Sequence, residues 1–322
     1  MIASVQNLLR GCGAMVAMLC ATMSSHAQDA WPTQPVKLVV PYAAGGTTDL
    51  IARRLAERMT RELGQSVLVE NRPGASTNIG AASVAAAKDG HTLLLGSIFQ
   101  VLNPVFGPEP GFDLFTGLEP VSLVASMPFV LAANPKTPYN NGRELVAAAK
   151  AAPGKLSVSH AQLDLSLELL NSKAGMQLLL APYKGGGPAT TDAIGGQVNM
   201  VYALVPVLLP HIQSGKLKPL AVTSARRFEG LPNVPTFVES GVDFDMIMWY
   251  GVFTPAGAPR PVIEKLARVV QKVMASKDMM ESIRSAGADP IHNTPEEFRA
   301  QLRKETAYWQ GVARAMPKLV QK

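Results

Sequence analysis

From Val36 onward the chain alternates short apolar, β-branched runs with longer segments of helical spacing, and this alternation fixes most of what it can fold into. Val36-Lys37-Leu38-Val39-Val40 reads as a buried strand stopped by Pro41. Leu50 to Leu63 reads as a helix, because Ile51, Leu55, Met59 and Leu63 recur every four residues while four arginines fall mostly on other faces. Thr47 or Thr48 can cap its start, and Gly64 suits the left-handed position beyond its end. Val67 to Glu70 is a second strand, Ala81 to Ala87 a short helix and Thr92 to Leu95 a third strand. Such a β-α-β-α-β order demands a parallel sheet with right-handed crossovers.

The pattern returns further on. Strand-like segments fill Val121 to Ala133, and Gly142 to Ala152 is helical. A strand at Leu156 to Ser159 leads into a leucine-rich helix, and Gln197 to Ala203 and Leu217 to Thr223 flank a helical Pro206 to Ser214. After a strand at Trp249 to Phe253 and a Pro/Gly-rich break at 255–259, three helices close the chain. The last opens on Thr294-Pro295-Glu296-Glu297, a capping box, and carries Phe298, Leu302 and Trp309 at helical spacing. Helices with no strand after them must pack on a sheet already made, which returns the C-terminus to the first half. The expected fold is therefore α/β with two lobes, each a mostly parallel sheet flanked by helices, and a ligand cleft between them. The lobes are expected at 28–125 with 251–322, and at 126–250.

The first 27 residues read as a secretory signal peptide. Arg10 ends a short n-region, Gly11 to Met23 carry no charge, and Ser25-His26-Ala27 supplies small residues for cleavage. The apolar run is shorter than the ~20 residues a membrane span needs. Cys12 and Cys20, the two cysteines of the chain, leave with it, so the expected mature protein is thiol-free and periplasmic. Hydrophobic residues at 47% against 17% charged exclude extensive disorder. The net charge of +6 is spread along the chain without a basic stripe, which argues against nucleic acid. Five histidines and two cysteines are too scattered for a metal framework, and no metal or cofactor is expected.

Two glycine-rich joints stand out. Pro41-Tyr42-Ala43-Ala44-Gly45-Gly46-Thr47-Thr48-Asp49 links the first strand to the first helix, where ligands of parallel α/β sheets bind. Its glycines let backbone approach a ligand, and the free N–H groups of the helix start suit a carboxylate or phosphate. Thr47 follows Gly46 where a nucleotide P-loop requires Lys. The same residues also make a tight turn capped by Thr and Asp, and the sequence leaves both readings open. Pro182-Tyr183-Lys184-Gly185-Gly186-Gly187-Pro188 repeats the arrangement, with Pro188 expected at the first helical position. Between them, Asn71 and Gly74 read as turn residues, and Asn78-Ile79-Gly80 as the approach to the second helix.

The segments 39–49, Glu-Asn-Arg-Pro-Gly-Ala (70–75), Asp-Gly-His-Thr-Leu-Leu-Leu-Gly (89–96) and Pro-Tyr-Lys-Gly-Gly-Gly-Pro-Ala (182–189) closely resemble the Bug family, the extracytoplasmic solute-binding receptors of tripartite tricarboxylate transporters. Leu-Ala-Val-Thr-Ser-Ala-Arg-Arg (220–227), Leu-Pro-Asn-Val-Pro-Thr (231–236) and Thr-Pro-Glu-Glu-Phe (294–298) extend the resemblance over essentially the whole mature chain. It implies a monomeric receptor that closes on a small carboxylate or related metabolite and delivers it to membrane subunits of a transporter or to a sensor kinase. Carried onto this chain, Tyr42, Ala44, Gly45, Gly46, Thr47 and Asp49 form the first-lobe half of the site, with Asn78 and Ser97 nearby.

The resemblance fails at one loop. Where the family has a Gly-rich, Ser/Thr-bearing loop with a His, this chain has Ser159-His160-Ala161-Gln162-Leu163-Asp164-Leu165, without glycine, and Asp164 falls at the place of the His. Ala203, after Tyr202, stands where the family often carries an Asp. The second-lobe candidates are therefore His160, Gln162, Asp164 and Tyr183. A degenerated receptor that signals to a membrane sensor is the alternative. A hydrolase built on Ser159, His160 and Asp164 is disfavoured, because adjacent strand residues point to opposite faces. Protein recovered from the periplasm is expected to begin near Gln28 and to resist thiol labelling; N-terminal sequencing that finds Met1 contradicts this.

Overall fold

The computed structural model describes residues 31–320 apart from Pro108 and Gln162; the leader, its cleavage site and Gln162 lie outside the described residues. The first strand β1 (Val36–Val40), β2 (Val67–Asn71) and β3 (Thr92–Ser97) pair in parallel, with β1 in the middle. Their crossovers are α1 (Thr47–Leu63) and α2 (Asn78–Ala85). α1 buries Ile51, Leu55, Met59 and Leu63, the residues its spacing marks, and ends on Gly64 at φ 69. Two short helices, α3 (Phe99–Phe106) and α4 (Leu114–Gly117), precede β4 (Leu118–Ala133). The sequence reading missed both, because Pro104 and the glycines around them read as breaks.

The second half contributes α5 (Gly142–Ala151), β5 (Ser157–His160), α6 (Asp164–Ala174), β6 (Leu179–Pro182), α7 (Gly186–Gly195), β7 (Met200–Leu204), α8 (Val205–Gln213) and β8 (Lys218–Val222). The chain then returns through β9 (Ile247–Pro255), α9 (Arg260–Met274), α10 (Lys277–Ser285), the short β10 (Asp289–Pro290) and α11 (Pro295–Ala315). α11 packs on α3 and β4, so the C-terminal helix does return to the first half. Phe298 holds it there, with its ring 5.4 Å from Trp249 and 5.0 Å from Phe253.

The strand order β2-β1-β3-β9-β4-β7-β5-β6 runs through β4, which belongs to both halves. Up to Pro128 it pairs antiparallel with β9, and from Phe129 to Ala133 with β7. Its register slips between Pro120 and Ser122, between Leu123 and Ala125, and against β8 between Leu131 and Ala132. Slips of this kind bend and twist a strand.

The register fixes which edges face each other. In the first sheet Ser97, the end of β3, lies opposite Tyr250, and Tyr250 lies opposite Ala125. In the second sheet Leu204, the end of β7, lies opposite Phe129, while its start, Met200, lies opposite Ala133. The C-terminal ends of both sets of parallel strands thus point at the same stretch of β4, residues 125–129. The loops that follow the parallel strands of both sheets open toward that level, whereas β4 and β9 end on the opposite sides, at Ala133 and Pro255.

Gly251 shows how closely β9 and α11 fit, since a Cβ there would meet the Phe298 ring at 2.5 Å. Gly251→Ala is expected to destabilise by about 1–3 kcal/mol through overpacking, and Phe298→Ala by about 3–5 kcal/mol through the cavity it leaves. Urea titration should show lower midpoints at unchanged m-values; wild-type midpoints would contradict this packing.

Candidate functional site

The first-sheet half of this edge is braced from below by one carboxylate. Asp49 is buried; its Oδ2 accepts from the Gly45 N–H and from Arg53 Nε, both at 3.0 Å. Its Oδ1 accepts from Asn71 Nδ2 at 3.0 Å, and the same amide donates to the Tyr42 carbonyl at 3.1 Å. Asp49 and Asn71 therefore tie the β1–α1 loop to the end of β2. Asn71 is a strand residue rather than the turn residue expected, and Gly74 has φ +128. Gly45 sits at φ +89, where a side chain is strained, while Gly46 is extended; space within 4 Å of a Cβ on either is open.

Neither Thr47 nor Thr48 caps α1. Gly46 is the N-cap and no side chain bonds to the first turn, so its leading N–H groups stay available. Thr48 instead donates to the Tyr250 hydroxyl at 2.8 Å, and Tyr42 shares a 2.8 Å hydrogen bond with Ser97, which is fully buried. The two tyrosine rings meet edge to face at 6.2 Å. Burial raises both phenols, Tyr250 to about 12, so they remain neutral hydrogen-bonding groups at any physiological pH.

A third joint is strained. Ala75, Ser76 and Thr77 all have positive φ, at 45, 51 and 81°, a conformation that costs an ordinary residue roughly 1–2 kcal/mol. Two buried amides of α3 hold it. Gln100 accepts the Ser97 N–H and donates to Thr77 Oγ1 at 2.9 Å. Asn103 Nδ2 donates to the Ser76 carbonyl at 2.6 Å and to Asn78 Oδ1 at 2.8 Å. Asn78, expected ahead of the second helix, is the first residue of α2.

On the second-sheet side His160 ends β5 and is fully buried. Its Nδ1 accepts the Leu163 N–H at 3.2 Å, which places the ring proton on Nε2 in the neutral form. Among the described residues Nε2 has no hydrogen-bond partner; Asp164 Oδ1 lies 3.5 Å away, an ion-pair distance that does not make a hydrogen bond. Burial lowers the His160 pKa, against a smaller upward pull from Asp164. Asp164 stands in the first turn of α6 with its side chain half exposed. Tyr183 turns toward α7, donating to Asp192 at 2.5 Å. Ser159 Oγ donates to the Ala189 carbonyl at 2.8 Å, away from the adjacent His160. α7 begins on Gly185 without a side-chain cap, and Pro188 is its third residue, not its first.

Helix starts at the two facing edges share a property. α1, α2, α3, α6, α7 and α8 have no side-chain cap, whereas α4, α5 and α11 are capped by Asp113, Asn141 and Thr294. α9 and α10 also start uncapped. Uncapped starts leave N–H donors and positive dipole ends aimed at one level, a setting that suits an anion. The structure thus brings Tyr42, Gly45, Gly46, Thr47, Asn78 and Ser97 to one edge, and His160, Asp164 and Tyr183 to the other. Ala44 lies exposed in the first loop. Tyr250, Gln100 and Asn103 escaped the sequence reading; polar residues three apart on an otherwise apolar α3 were the available signal. A cavity of about 990 Å³ reaches Gln100 and is lined further by Val101, Pro104, Phe112, Phe115 and Gln310.

Two α/β halves joined through β4 and β9, with loop-bearing edges opposed, define a two-lobed periplasmic-binding-protein fold. The chain belongs to the tripartite tricarboxylate transporter family of receptors, whose pattern matches residues 51–316. It is 37% identical to protein BugT of Bordetella pertussis over 294 residues, 89% of this chain and 90% of that one. Among solved structures it is similar to an R. palustris protein with adipate, at TM-score 0.79 and 33% identity over 88% of this chain and 97% of that one. MatC from Rhodopseudomonas palustris with bound malate follows at TM-score 0.73 and 29% identity, over 88% and 99%.

The Arg53 hydrogen bond, with those from Gly45 and Asn71, holds the Asp49 carboxyl below the ordinary carboxylate range against a smaller opposing cost of burial. A lowered folded-state pKa contributes stability that is present above the unfolded value and lost as pH falls through the folded one. Asp49→Asn should therefore cost about 1–3 kcal/mol at pH 7, the price of leaving buried donors poorly paired. The gap to wild type should shrink below pH 4 in urea titrations, and a gap independent of pH would count against the brace.

Proposed function

We propose that this protein is a periplasmic receptor that captures a small carboxylate-type metabolite for a tripartite transporter. The lobes of this reading are 28–125 with 251–322, and 126–250. β9 pairs in the first sheet from Ile247 on while Met246 still bonds to Thr223, so the return crossing falls just ahead of β9, a few residues before the bound at 251. The observation that carries the reading is the pair of glycine N-caps, Gly46 and Gly185, which open uncapped helices from opposite sheets toward one level. Backbone N–H groups gathered there offset the desolvation of a carboxylate without an arginine clamp. The family relation supports it, as do the adipate and malate carried by two similar proteins. Family membership also implies export to the periplasm.

In this reading Gly46, Thr47 and Thr48 donate backbone N–H groups to the ligand carboxylate, with Gly45 shaping the loop. Ser97, Tyr42 and Asn78 line the same half. Asp49 acts through the loop, its oxygens being occupied. Gly46→Val should abolish carboxylate binding while lowering stability by only about 1 kcal/mol, the loss of a good N-cap residue, because Gly46 has φ −84 and open space around it. A thermal-shift screen of mono-, di- and tricarboxylates checks this. A ligand at a hundredfold excess over Kd stabilises by about 2.7 kcal/mol. A Gly46→Val protein that retains the full shift would sink the assignment of this loop.

A further inference from the structure

We propose that Asp164 makes the second half of the cleft reject a diacid, so that the ligand is a monocarboxylate whose far end carries an amine or another hydrogen-bond donor. The inference rests on the reading of the cleft as a carboxylate site and names the class of ligand it takes.

Three observations meet at this point. Asp164 occupies the first turn of α6, an eleven-residue helix without a side-chain cap. A ligand's second carboxylate would be drawn to that positive end, and the protein's own carboxylate already stands there. His160, fully buried at the end of β5, turns toward Asp164 an Nε2–H that has no hydrogen-bond partner among the described residues. A buried donor left without a partner is costly, and Asp164 at 3.5 Å gives it only the attraction of a nearby charge. Burial keeps the imidazole neutral, so it does not cancel the Asp164 charge. Half exposed in the first turn after β5, at the edge where the parallel strands of the second sheet end, this carboxylate is placed to accept from a donor and to repel an acid.

The charged neighbours on this edge are few. Asp192 is engaged by Tyr183. Lys184, exposed on the loop before α7, is the cation that could oppose Asp164, and the test includes it. Two unit charges about 8 Å apart change affinity roughly 2- to 30-fold, between an effective dielectric of about 80 and one of about 20.

The experiment compares matched six-carbon probes, adipate, 6-aminohexanoate and hexanoate, by calorimetry on the mature protein at fixed ionic strength. Wild type is expected to bind 6-aminohexanoate most tightly and adipate least. Asp164→Asn should raise the adipate to 6-aminohexanoate affinity ratio by roughly 2- to 30-fold, and Asp164→His should raise it further. Ligand-free melting temperatures of the variants confirm that each folds. If wild type binds these acids and the ratio is the same in Asp164→Asn, the inference is overturned and the carboxylate site stands. An adipate affinity that falls with Lys184→Ala while Asp164→Asn has no effect overturns it in favour of the lysine. If neither wild type nor either variant binds any probe, the carboxylate reading fails and the inference with it.

Discussion

One strand carries the architecture. At roughly 3.3 Å per residue a sixteen-residue strand reaches about 50 Å, enough to serve two sheets in turn. β4 does so by exchanging its partner: β9 up to Pro128, β7 from Phe129. Because both partners run antiparallel to it, the first sheet's parallel strands end where β4 leaves that sheet, and the second sheet's end where β4 enters. Opposed loops follow from this exchange. Its burial pattern fits the role, with only Glu119 and Ser126 less than fully buried, since a strand packed by helices on both faces has no solvent side to alternate with.

The side chains at the facing edges are mostly wired to one another. Asp49 holds Gly45 and Asn71; Tyr42 holds Ser97; Gln100 and Asn103 hold the strained turn at 75–77. Residues chosen from sequence as ligand contacts thus divide into two kinds. Asp49 and Tyr183 have polar atoms occupied by the protein, while Gly46 and Thr47 keep backbone donors unoccupied. Preorganisation explains the division: a loop held in shape before a ligand arrives loses less entropy when one binds. Three left-handed residues in succession persist because buried amides on α3 over-determine them.

The sequence made the strands, the major crossover helices and the two glycine joints legible, because buried parallel strands read as continuous apolar runs and glycine marks open helix starts. The capping box at Thr294 was legible for a similar reason, since its residues act on neighbours three apart. Three other features were not legible. Val121 to Ala133 reads only as strand-like segments, and nothing local says that a strand will change partners at residue 128. The bonds Thr48–Tyr250 and Tyr42–Ser97 join residues 202 and 55 positions apart, so no spacing announces them. Asp49 looked like a ligand contact because its type and place suited one, and only the geometry shows both oxygens turned inward. His160 and Asp164 stand out in the sequence, but their proximity, and the burial of one beside the exposure of the other, belong to the fold.

Desolvation ties these pieces into a basis for selectivity. In the proposed receptor, water satisfies the uncapped N–H groups of α1 and α7 before a ligand arrives, and closure removes it. Each donor then needs an acceptor, or costs about 1–3 kcal/mol. In the proposed receptor a carboxylate satisfies the first edge, where the neighbouring phenols are neutral and the oxygens of Asp49 are taken up within the loop. The second edge differs, for it already holds an acceptor in Asp164 and one unpaired donor in His160. A ligand end that offers a donor satisfies the carboxylate, while one that brings a second charge leaves two like charges in a site losing its water. Selectivity at this edge therefore grows as the site closes, because the repulsion of like charges strengthens as the effective dielectric falls.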